Sequence, residues 1–269
     1  MVKTLRAAGL VLVTVGFLVM TVVGEEISVD LPSAIDRGLV ACRVISHGEL
    51  DYVVLLVKNT QEEPIQVIIL PGTVFVPSDE AVQQMGAVDQ VTIYLAPGEE
   101  KEVVVPTACF QMTLDQPGED IEFVGVRQFP HDGIRRLCSS PTFQTASFRV
   151  KQFAIWTLIE NPNAVDDYAG LGFGEEFVAN LEELGFPLEL LVLLWAYPEV
   201  LFELSEEEIE GLELIFTLAG IPVQSFDDLY RLLSTGGPTS GELAQVREIF
   251  IEAGIPTGDF HALACAEES

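Results

Sequence analysis

The apolar residues of this chain change their period near Arg149, and that change limits the fold more than any other feature. Before it, runs rich in β-branched and aliphatic residues occupy positions 39–45, 52–57, 65–70, 73–76, 91–95, 103–105, 109–112 and 121–126. Val91, Ile93 and Leu95 alternate with Gln90, Thr92 and Tyr94, the period-two signature of a half-buried strand. Turn chemistry separates the runs at His47-Gly48, Asn59 to Pro64, Pro71-Gly72, Pro97-Gly98 and Pro117-Gly118. Strands at this spacing, with no long helix between them, predict an antiparallel β-sandwich. After Arg149, Phe153, Trp156 and Leu158-Ile159 fall on helical spacing, and Asn161-Pro162 ends that helix. The expected class is therefore α+β: a sandwich domain over 25–148, with 133–148 as its bridge, followed by an acidic all-helical domain over 149–269.

The second half contains a repeat. Ala219-Gly220-Ile221-Pro222 returns as Ala253-Gly254-Ile255-Pro256, Ile215-Phe216 as Ile249-Phe250, and Phe226 as Phe260, each 34 positions on. Leu184-Gly185-Phe186-Pro187 is a looser earlier copy. The four-residue block is a helix stop. Gly takes the left-handed conformation past the last turn, the next apolar residue folds back onto the helix, and Pro prevents continuation. Each unit reads as a longer helix, this stop and a shorter helix, which predicts stacked helical hairpins because one hairpin cannot bury its apolar face alone. Glu206, Glu207 and Glu208 fall in a first helical turn, where negative charge is favourable.

Positions 65–85 look like a specified structure rather than a filler loop. An apolar strand is broken at Pro71-Gly72, a second short strand stops at Pro77, and Ser78 can cap one helical turn with Asp79 and Glu80 at its positive end. Specified loops on rigid scaffolds carry recognition. Val76, Pro77, Ser78, Asp79 and Glu80 are accordingly the candidate binding contacts, at an end of the sandwich or against the first long helix.

Residues 1–24 match a secretory signal: Lys3 and Arg6, an uncharged apolar run, then small or aliphatic residues ahead of Glu25. The alternative is an uncleaved anchor. The chain carries 13 basic and 42 acidic residues, a formal charge of −29. That excess repels phosphate backbones and anionic lipid, so nucleic acid and a membrane surface beyond the anchor are not expected partners, whereas a basic protein or cell-surface partner is compatible. In an exported protein four cysteines suggest disulfides. Of the three possible pairings, Cys109 with Cys138 is the first expectation and Cys42 with Cys265 the second. Arg135-Arg136 reads as an internal salt link to the acidic half.

Motifs for hydrolytic, phosphate-binding, dinucleotide or calcium chemistry are absent from the sequence. His47, His131 and His261 lie far apart beside turns and do not compose a base, nucleophile and orienting group. Asp166-Asp167, near Asn161 and Asn163, offers oxygen ligands for Ca²⁺ but also reads as a helix-capping loop. No cofactor is expected.

Two resemblances add to this reading. The succession of a strand, Asn59…Pro64, a strand, and Ala96-Pro97-Gly98-Glu99 before another strand resembles immunoglobulin-like modules of exported bacterial proteins, which implies a fold and no activity. Ala108-Cys109-Phe110-Gln111 at a strand end, with Lys151-Gln152-Phe153-Ala154-Ile155-Trp156 later, resembles fragments of the thioester domains of bacterial surface adhesins. That likeness implies an internal Cys–Gln thioester that couples to a host surface. The function expected first is a non-catalytic binding or scaffolding protein of the cell envelope or extracellular space. A thioester adhesin is the alternative, and an enzyme using carboxylates or a metal is a third.

Overall fold

The computed structural model describes residues 27–112, 114–119, 121–130, 132–160, 173 and 175–257. The signal segment, Cys265, His131, His261 and the Asn161–Asp167 stretch lie outside them. The fold is α+β, with two sheets and a helical C-terminal region.

Among the described residues nine strands form the sheets: β1 (Ile27–Asp30), β2 (Val40–Ile45), β3 (Tyr52–Asn59), β4 (Ile65–Ile69), β5 (Thr73–Pro77), β6 (Met85–Ala87), β7 (Val91–Leu95), β8 (Glu100–Cys109) and β9 (Phe123–Gln128). In β7 the expected alternation is seen, with Ile93 and Leu95 buried, and the apolar run of β4 also alternates in burial, with Ile65, Val67 and Ile69 inside. β1, β4 and β7 make a three-stranded sheet in which β1 runs parallel to β4, so the all-antiparallel expectation fails there. The other six strands are ordered β2-β3-β8-β6-β5-β9. A bridge between Ile45, at the end of β2, and Glu122, just before β9, carries this sheet most of the way to a closed barrel. The runs at 103–105 and 109–112 are not separate strands. β8 is one ten-residue strand that pairs first with β3 and then with β6. One long strand serving two neighbours is what lets the sheet curl.

Consecutive strands β3 and β4 lie in different sheets, as do β7 and β8, so these two connections are arches between the layers, which the chain also crosses at β1–β2, β4–β5 and β6–β7. Asn59, fully buried, holds both arches. Its Nδ2 donates to the carbonyls of Glu63 (2.8 Å), Leu95 (3.3 Å) and Ala96 (3.0 Å), and its Oδ1 accepts from the Gln61 amide at 2.8 Å.

Three short helices fall where strands or bridge were expected: α1 (Leu31–Asp36), α2 (Gly133–Cys138) and α3 (Pro141–Thr145). α1 starts because Asp30 caps the Ser33 amide at 3.0 Å and Pro32 needs no amide partner in the first turn. α4 (Phe148–Glu160) is the helix expected from Phe153 and Trp156. Beyond it lie α5 (Glu175–Glu183), α6 (Leu188–Ala196), a 3₁₀ turn (Pro198–Glu203), α7 (Glu206–Leu218), α8 (Phe226–Thr235) and α9 (Ser240–Glu252).

The three helix stops share one geometry. Gly185, Gly220 and Gly254 have φ of 75°, 110° and 64°, and the amides of Phe186, Ile221 and Ile255 reach back to the carbonyls of Leu181, Phe216 and Phe250. These are Schellman closures. Both long helices of the repeat also open on capping boxes, Ser205 with Glu208 and Thr239 with Glu242.

The copies nonetheless do not stack as equivalent units. Phe216 of α7 belongs to an apolar core made by α5–α8. Phe250 of α9 belongs to the core of the sheets, together with Phe153 and Trp156 of α4. Arg149, on α4, is 2% exposed and grips Glu242 of α9, with Nε–Oε1 at 2.8 Å and Nη2–Oε2 at 3.3 Å, and its Nη2 also donates to the Gly236 and Gly237 carbonyls. Arg135 and Arg136 form loose exposed pairs with Asp132. Arg136 does reach the acidic half, through the carbonyls of Ala253 and Gly254 at the end of α9 and not through a carboxylate.

Candidate functional site

β8 loses its neighbour on one side before it ends. β3 pairs with it only as far as Pro106, whereas β6 continues opposite residues 107–109 on the other side. The Phe110 amide turns to β6, donating to the Gln84 carbonyl at 2.9 Å. The backbone of Cys109 faces away from β6 and needs another partner, because an unpaired buried amide or carbonyl is costly. α4 supplies it. Gln152 Oε1 accepts from the Cys109 amide at 2.8 Å, and Gln152 Nε2 donates to the Cys109 carbonyl at 2.7 Å. One side-chain amide thus takes the place of a missing strand, and both residues are fully buried.

The same face of α4 makes a second clamp two turns on. Glu160 accepts from the Met112 amide, both oxygens at 3.1 Å. Burial raises its carboxyl above the ordinary value, and the bond from Met112 opposes the shift. Gln152, Trp156 and Glu160 follow at intervals of four, so they form one stripe along α4, and its outer members bind the chain at Cys109 and Met112.

The Cys109 thiol lies 3.7 Å from Met85 Sδ, and burial pushes its pKa up to about 12. Phe110 covers Gly86 on β6: a Cβ there would meet the ring at 1.8 Å, so only glycine fits. Cys138 is buried at the end of α2, its thiol raised by burial and by Asp89 and partly offset by Lys151. The expected Cys109–Cys138 bridge is not formed, since both are free thiols and each faces a different neighbourhood. Cys42 is free as well, raised by burial to about 11, and its expected partner Cys265 lies outside the described residues.

The loop singled out in the sequence leads into this centre. Val76 and Pro77 end β5, with a register shift between them against β9, and Pro77 is buried. Ser78, Asp79 and Glu80 form an exposed tip. Ser78 does not cap a helix. Its amide donates to the Glu122 carbonyl, while Asp79 Oδ1 accepts from the Ala81 amide at 2.9 Å to shape the turn. The descending arm is buried from Val82 and reaches Met85, directly opposite Cys109. Of the sequence-derived candidates the fold therefore brings together Cys109, Gln152 and the base of the 76–80 loop. Glu160 had no sequence signal beyond its spacing from Gln152, and Asn59 was read only as turn chemistry.

No cluster of His, Cys, Asp and Glu suited to a metal ion occurs among the described residues, and no described helix is long and apolar enough to cross a membrane. A different surface feature lies on the second core, where Val192, Leu193, Trp195, Tyr197 and Phe202 are exposed. No family model, curated protein or solved structure matches this chain.

Proposed function

We propose that this is an exported binding protein whose Cys109 and Gln152 close an internal thioester that couples covalently to an amine-bearing partner. The observation that carries the reading is the reciprocal pair of hydrogen bonds between these residues, 43 positions apart in the chain and sealed from solvent. The Cys109 amide polarises the Gln152 carbonyl in the manner of an oxyanion-hole donor, as the nucleophile's own amide does in acyl-transfer enzymes. The thiol sulfur forms a bond to the amide carbon, the C–N bond breaks, and the thiol proton leaves with the nitrogen as ammonia. A partner amine later forms a new C–N bond, the C–S bond breaks, and the amine proton returns to sulfur. Full burial keeps water from the reactive bond until the junction of β8 and α4 opens.

The immunoglobulin-like reading of the sheets belongs to the same proposal and is supported by the two arches that cross between layers. The helical-hairpin reading is supported by α7, its Schellman stop and α8. The acidic surface and the Ser78–Glu80 tip favour a basic partner such as a lysine-rich protein. The protein needs no cofactor for this chemistry and is not a turnover enzyme.

The test is the intact mass of the full chain. The wild type is expected one ammonia lighter than its sequence and to gain methylamine. Cys109→Ala and Gln152→Ala are expected at full mass and inert. A wild type at full mass, with Cys109 alkylated as a free thiol on unfolding, would remove the thioester. A second reading, a non-covalent binding or scaffolding protein, is favoured by the exposed row on α6 and the 3₁₀ turn. Substituting Trp195 and Phe202 by Ser would then abolish partner capture that Cys109→Ala leaves intact.

A further inference from the structure

Trp156 is 4% exposed, and its indole N–H has no hydrogen-bond partner among the described residues. A buried donor left unpaired gives up its hydrogen bond to water and gains nothing in return, so a native chain that keeps one needs a reason. Its position supplies one. Trp156 is the middle member of the α4 stripe whose outer members, Gln152 and Glu160, bind the chain at Cys109 and Met112. Helical side chains lean toward the N-terminus of their helix, a tendency that directs the indole toward the turn that carries Gln152. The tilted pairing of Trp156 with Phe153, with centroids 6.2 Å apart, agrees with that direction. The Gln152 carbonyl oxygen takes the Cys109 amide on one lone pair, and a carbonyl has a second. An unsatisfied donor therefore stands one turn from an acceptor with spare capacity, in a site closed to water.

We infer that the Trp156 indole N–H is the second oxyanion donor of the Cys109–Gln152 centre. The inference rests on the thioester reading. In both half-reactions the carbonyl oxygen of Gln152 gains negative charge as the tetrahedral carbon forms, first with sulfur and the amide nitrogen attached, then with sulfur and the incoming amine. The Cys109 amide stabilises that charge from one side and the indole from the other. In the resting amide the indole waits without a partner, and the hydrogen bond forms as charge develops. Trp156 acts on the reacting oxygen and takes no proton.

Trp156→Phe keeps the aromatic bulk and removes the N–H. Replacement by benzothienylalanine, which exchanges N–H for sulfur in the same bicyclic shape, guards against a packing effect. The readouts, on the full chain, are the fraction one ammonia lighter and the rate of methylamine incorporation, with the unfolding temperature as control. Loss of one oxyanion donor lowers such rates roughly 10²–10³-fold, and both variants are expected to show that fall at an unfolding temperature close to wild type. The indole ¹⁵N–¹H resonance should also move between wild type and Cys109→Ala. A wild-type rate in the benzothienylalanine protein overturns the role of Trp156 and leaves the thioester standing. A wild type that never loses ammonia overturns both.

Discussion

The guanidinium of Arg149 and the carboxylate of Glu242 meet at 2.8 Å inside the protein, 93 positions apart, with neither side chain more than 2% exposed. Glu242 is at the same time the third residue of α9 and closes its capping box, accepting from the Thr239 amide at 2.9 Å. Its counterpart in the first copy of the repeat, Glu208, performs only the cap, at the surface. Removing one partner of a buried pair leaves an uncompensated charge and costs about 3–5 kcal/mol. Arg149→Met is expected to lower stability by that amount in urea unfolding, whereas Glu208→Gln, at the equivalent but exposed position, should cost far less. Arg149→Met together with Glu242→Leu should recover much of the loss.

Asn59 ties both arches between the sheets, so its truncation should be felt in each. Asn59→Ala removes the donor shared by the Glu63, Leu95 and Ala96 carbonyls, of which the Leu95 bond is buried, and the acceptor of the Gln61 amide. A loss of about 1–3 kcal/mol is expected. Hydrogen exchange should accelerate at Gln61 and Glu99 before it does in α7 or α8.

Gly86 has no room for a side chain beneath Phe110. Gly86→Ala should cost about 1–3 kcal/mol through overpacking and displace the Phe110 ring. Because Phe110 follows Cys109, the same variant should alter methylamine incorporation, whereas Gly98→Ala, where the added methyl meets open space, should act only through its φ of 69°.

Glu252, at the end of α9, is held below its ordinary pKa of 4.5 by the Ser140 hydroxyl first and then by the Thr142 amide, against a small opposing effect of burial. A carboxyl whose folded pKa is depressed contributes stability above its unfolded pKa and loses it as pH falls through the folded value. Thermal unfolding followed from pH 7 downward should show wild type losing its advantage over Glu252→Gln below about 4.5. The two curves should converge at the acid end. Equal spacing at every pH would remove the linkage.

Local chemistry in the sequence determined the parts of this protein that close within a few residues. The alternation of β7, the three Gly-centred helix stops and the acidic first turn of α7 are all of this kind, because each depends on hydrogen bonds or side-chain faces set by positions close together. The residues that would meet at the candidate site were also visible as two motifs, Ala108-Cys109 and Gln152…Trp156. Tertiary structure decided how they meet. β8 outruns β3, so the Cys109 backbone turns to Gln152 while its thiol lies at Met85, and Cys138 is left without a bridge. It also decided where the repeat goes. α7 and α9 carry the same stop and the same cap, yet one closes the α5–α8 core and the other joins the sheets. Nothing within one 34-residue unit specifies that difference. It follows from what each apolar face finds to bury against, and α9 finds α4 with Arg149 positioned to receive its capping glutamate.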